Sequence, residues 1–101
     1  MADLPIACSL SPDALETRRR GLVSELLQRA QSREFTADGL RVVFAADSET
    51  LAQIAEVVNA ERLCCRFLRF SITVEPDGGP ISLELSGPAG SREFIAALID
   101  L

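Results

Sequence analysis

Residues 69–86, RFSITVEPDGGPISLELS, limit the possible folds more than any other stretch of the chain. Phe70, Ile72 and Val74 alternate with Arg69, Ser71 and Thr73. After the break EPDGGP the alternation resumes, with Ile81, Leu83 and Leu85 against Ser82, Glu84 and Ser86. A period of two marks a strand with one buried face. Gly78 and Gly79 can supply the positive φ that a tight turn needs. The segment therefore predicts a β-hairpin with one apolar face, and such a sheet needs helices over that face.

The rest of the chain offers those helices. PIACSL alternates through Ile6, Cys8 and Leu10 and predicts a short first strand. Ser11 then serves as an N-cap, with Pro12 at the first helical position. Leu15, Leu22, Val23, Leu26, Leu27 and Ala30 form a stripe that carries a helix to about Gln31. TADG breaks the chain, and LRVVFA supplies another strand with Leu40, Val42 and Phe44 inward. Asp47 or Ser48 caps a second helix, whose apolar face runs through Leu51, Ile54, Ala55, Val58 and Cys65. After GPAG, SREFIAALIDL predicts a last helix through Phe94, Ile95, Leu98 and Leu101. The expected order is β-α-β-α-β-β-α, a single α+β domain over residues 1–101. Its architecture is a two-layer sandwich with the helices on one face of a four-stranded sheet.

Composition narrows the function. The net charge of −5 disfavours nucleic acid and anionic membrane as partners. The run RRR at 18–20 reads as a solvated helix face, since the only aromatics are five phenylalanines, mostly at core-like positions. No apolar run approaches the roughly 18 residues that span a bilayer. The start, MADLPIACSLSPD, lacks the basic-then-apolar pattern of a secretory leader, so the expected location is cytoplasmic. Histidine, tyrosine, tryptophan and lysine are all absent. The usual general base, Schiff-base amine and commonest metal ligand are therefore missing, which argues against an enzyme.

ERLCCRFLRF, residues 61–70, carries the chemistry that remains. Neighbouring Cα atoms lie about 3.8 Å apart, below the roughly 4.4 Å minimum usual for bridged cysteines, so Cys64 and Cys65 do not pair with each other. A bridge from Cys8 to either would be unusual in the cytoplasm, and a structural disulfide is not expected. A helix C-terminus disfavours a thiolate, which weakens the case for a catalytic nucleophile despite Arg62, Arg66 and Arg69 nearby. A thiolate-only donor set instead selects soft ions: mercury(II), arsenic(III), copper(I) or zinc. Cys64 and Cys65 are the expected primary ligands and Cys8 the third. Arg66 would be a neighbouring charge, and Glu61 and Arg62 could orient the thiols.

One geometric condition attaches to that site. Successive helical residues point about 100° apart, so the adjacent thiols converge only if the helix unwinds between them. The competing expectation is a metal-free interaction module, a homodimer through its sheet face or last helix, with buried cysteines acting as small hydrophobes. A thiol-redox enzyme is the third. SGPAGSRE, residues 86–93, could offer amides and Arg92 to an anion, but a turn and helix cap explain it without a ligand.

ERLCCRFLRFSITVEPDGGPISLELSGPAGSREFI also resembles an uncharacterised group of small bacterial proteins. That group has a Glu-Arg-x-Cys-Cys-x-Phe-Leu helix end, an alternating hairpin and a Gly-Pro-x-Gly turn into a last helix. The opening IACSLSPDALETRR is similar too, and CCxFL is the distinctive part. Some members of the group occur near mercury or metalloid resistance functions. The resemblance thus implies a soft-metal role for Cys64, Cys65 and Cys8.

Overall fold

The structure, a computed structural model, describes residues 13–99, with side chains from residue 21 onward except Leu98. The elements are α1 (Asp13–Gln28), β1 (Ala30–Phe35), β2 (Gly39–Phe44), α2 (Ser48–Cys64), β3 (Arg69–Val74), β4 (Ile81–Ser86) and α3 (Ser91–Ile99). The sheet is antiparallel throughout, in the order β1-β2-β4-β3. The α+β class and the four-stranded sheet agree with the sequence pattern, and three of the four strands, β2, β3 and β4, are the expected ones. The strand expected at PIACSL, with Cys8, lies outside the described residues.

One strand carries no signal in the sequence. The first helix stops at Gln28 instead of Gln31, and Ala30–Phe35 pairs with β2. Its sequence, AQSREF, has no apolar alternation because five of its six side chains are exposed. Pairing alone makes it a strand. The Thr36 N–H donates to the Gly39 carbonyl at 2.9 Å and closes the turn. Register shifts between Ala30 and Ser32, leaving a bulge at the start of this edge.

The core sits between the sheet and the helices. Leu40, Val42 and Phe44 of β2 and Ile81, Leu83 and Leu85 of β4 form its floor. Val23 and Leu26 of α1, Ile54 and Val57 of α2 and Ile95 of α3 close it from above. Burial of a side chain such as Phe44 contributes roughly 1.5–3 kcal/mol. The expected inward triplets on β2 and β4 are therefore the ones that pack.

The α2 face is rotated from the expected one. Its buried residues are Thr50, Ile54, Val57, Glu61 and Cys64. Leu51 and Val58 are half-buried, and Ala55 is exposed. The helix entry explains why a threonine turns inward. Asp47 caps α2, its carboxylate accepting from the Glu49 N–H at 3.2 Å and from the Thr50 hydroxyl at 3.0 Å. Arg29, just after α1, donates to Thr50 Oγ1 at 3.3 Å and pairs with Glu49 at 3.0 Å and Asp47 at 3.5 Å. The end of α1 is thereby tied to the start of α2.

The hairpin turn also differs in detail. Positive φ falls on Asp77 (59°) and Gly78 (74°), not on Gly79. Gly79 N–H donates to the Pro76 carbonyl at 3.1 Å. Asp-Gly at the two central positions matches the twist that a two-residue hairpin loop requires. On β3 the apolar face has the expected direction, opposite Ile81, Leu83 and Leu85. The helices do not cover all of it: Ile72 is 41% and Val74 56% exposed.

Candidate functional site

The site forms where α2 ends. Cys64 is the last helical residue, and Cys65 turns out of the helix with φ −103° and ψ 75°. Its N–H still donates to the Glu61 carbonyl at 2.6 Å, and its own carbonyl accepts from the Leu68 N–H at 3.1 Å. The 100° stagger of helical neighbours is broken at this one peptide. Cys64 and Cys65 are consequently both buried, 1% and 0% exposed.

Residues after the cysteines anchor the bend. Phe67 and Phe94 meet edge to face, their ring centroids 5.0 Å apart and their planes at 86°, which joins the bend to α3. Gly87 lets the chain come close there. A Cβ on it would press on Ser91 Oγ and lie 3.2 Å from the Phe67 carbonyl oxygen.

The two sulfurs differ in state. Cys64 is disulfide-bonded. This overturns the expectation of no structural disulfide, which rested on an assumed reducing compartment and not on geometry. The geometric exclusion of a Cys64–Cys65 bridge holds, because Cys65 is a thiol. The chain has one further cysteine, Cys8, outside the described residues.

Glu61 is the residue that the sequence underplays. It is 2% exposed, and its Oε1 lies 3.6 Å from Cys65 Sγ, where it accepts from the S–H. The separation is four residues, one helical turn, so the regular part of α2 places the carboxylate beside the thiol. A small core cavity of about 40 Å³ has Glu61 in its wall with Val57, Phe70 and Leu83. Arg62 is exposed and donates from Nε to Asn59 Oδ1 at 3.1 Å, and Arg66 is exposed as well. Glu61 and Cys65 are in contact and Cys64 is buried at the same bend, while the two arginines are exposed.

Among the described residues, no group of three or more His, Cys, Asp or Glu side chains is placed to hold a metal ion. No described helix is long and apolar enough to cross a membrane. A cleft of about 720 Å³ between α1 and β1 is lined by Ser24, Gln28, Gln31 and Arg33 among others and includes neither sulfur. At the start of α3, Arg92 stacks over the Phe35 ring at 5.4 Å. That contact directs its guanidinium toward the sheet. Comparison with family models, curated proteins and solved structures finds no significant match.

Proposed function

We propose that this protein, in its reduced state, binds a soft metal or metalloid ion through the thiolates of Cys64 and Cys65, with Cys8 as third ligand. The ion classes are mercury(II), arsenic(III), copper(I) and zinc, and the role is sequestration or sensing. The observation that carries this reading is the end of α2 between two adjacent cysteines, which leaves both buried at the same bend. Three sulfurs suit arsenic(III) or mercury(II) better than zinc, whose closed sites want four ligands. Glu61 can take the proton that leaves Cys65 when an ion binds. Arg62 and Arg66 offset the thiolate charge from the surface.

The disulfide at Cys64 makes the site redox-gated. While that bond stands, the sulfur cannot act as a thiolate ligand. Two-electron reduction by a cellular dithiol gives two thiols and opens the site. In a cytoplasmic setting the reduced form dominates, whereas an oxidising compartment keeps the bond. A thiol-redox role is the second reading, favoured by a disulfide-bonded Cys64 next to a thiol at Cys65. The thiolate of Cys65 would attack the sulfur bonded to Cys64, forming one S–S bond as the other breaks and releasing the Cys64 thiolate.

The experiment is a titration of reduced protein with mercury(II) and arsenite. Ultraviolet sulfur-to-metal absorption and native mass spectrometry provide the readout, with Cys8→Ser and Cys64→Ser/Cys65→Ser variants in parallel. Stoichiometric binding by the parent, lost in the variants, is expected. A reduced, folded parent that binds neither ion tightly would sink the proposal.

A further inference from the structure

The exposed apolar side of β3 belongs to an edge strand. Among the described residues, β4 is its sole strand partner. The Glu75 N–H donates to the Pro80 carbonyl at 3.3 Å, just beyond the pair Val74–Ile81. Backbone groups alternate in direction along an antiparallel strand. Arg69, Ser71 and Thr73 therefore bond toward β4, and Phe70, Ile72 and Val74 turn their N–H and C=O groups outward. The residues with outward backbone groups are also those with apolar side chains on the helix-covered face, where Ile72 and Val74 stay exposed.

We infer that β3 pairs antiparallel with β3 of a second copy of this chain, in the register that places Ile72 opposite Ile72 on a two-fold axis. That register is self-complementary at each position. Phe70 faces Val74 of the other copy, an aromatic–β-branched pair, and Ser71 faces Thr73. Arg69 falls opposite Glu75, twice, on the outer face. Shifting the register by two residues separates the charged pair, and shifting it by one turns apolar side chains to the wrong face. The two-fold axis is perpendicular to the sheet, so both helical layers lie on one side of a continuous eight-stranded sheet. Each copy thereby extends the apolar surface beside the other's Ile72 and Val74.

Sedimentation equilibrium on the full chain, from micromolar to millimolar, tests the pairing. The expected species has twice the 10.9 kDa monomer mass. Arg69→Glu and Glu75→Arg each set like charges opposite one another at two places and should weaken association by about tenfold. The double swap Arg69→Glu/Glu75→Arg should restore it. Ile72→Pro removes an outward N–H without touching the β3–β4 bonds and should give a folded monomer. A monomer at every concentration overturns the inference. In that case, slow exchange of the Phe70, Ile72 and Val74 amides would show that residues 1–12 take the edge instead. A dimer indifferent to the single swaps, or a double swap that stays weak, also overturns it.

Discussion

The sulfur of Cys65 lies 3.6 Å from a carboxylate oxygen of Glu61, one turn back along α2, with both side chains withdrawn from solvent. A buried acid costs free energy unless it is satisfied, so this pair binds the end of α2 into the core. Glu61→Ala removes the acceptor and leaves a hole beside an existing cavity. We expect a loss of about 2–4 kcal/mol in urea unfolding. Glu61→Gln keeps an oxygen in place and should cost clearly less. Equal losses would mean that the charge matters and the oxygen's position does not.

Thiol counting separates the sulfurs. In unreduced protein the Cys65 thiol should react with a thiol reagent only after denaturation, because it is fully buried, and Cys64, being bonded, should not react. Reduced and denatured protein should show all three thiols. Reduction should also lower stability by about 2–4 kcal/mol, measured as a shift in the denaturation midpoint.

Asp47→Ala should cost about 1–2 kcal/mol, since one carboxylate caps two donors at the start of α2 and also pairs with Arg29. Asp47→Ser should recover most of that loss. If the serine variant unfolds as easily as alanine, the contact with Arg29 outweighs the cap.

Two glycines should answer alanine substitution with opposite signs. A Cβ on Gly39 would overlap the Leu85 carbonyl of the neighbouring strand, a backbone atom with little freedom to move. Gly39→Ala should destabilise by about 2–4 kcal/mol. Gly21, within α1, has nothing within 4 Å of its would-be Cβ, and Gly21→Ala should stabilise by about 0.5–1 kcal/mol. Thermal melts of the two variants suffice to check the contrast.

Those positions also show what the sequence reveals. Leu40, Val42 and Phe44, and likewise Ile81, Leu83 and Leu85, alternate with more polar neighbours, so the central strands and their inward faces are legible. AQSREF is not, because an edge strand with its side chains in water carries no hydrophobic period. On α2, the apolar residues Leu51, Ala55 and Val58 suggest a face that two polar residues displace. Thr50 and Glu61 continue the 4-3-4-3 spacing of Ile54, Val57 and Cys64, and that regularity was the signal available for Glu61. The break between Cys64 and Cys65 was legible as a condition, since the period changes soon afterwards. The oxidation state of Cys64 was not, because spacing says nothing about redox surroundings.

The bulge between Ala30 and Ser32 has a consequence for growth. An irregular strand lined with Gln31, Ser32, Arg33 and Glu34 is a poor template for another chain, whereas β3 is regular and apolar. A sheet joined through β3 ends on β1 at both extremities. Such an assembly stops at two copies, because the edge it leaves among the described strands is the bulged, polar β1.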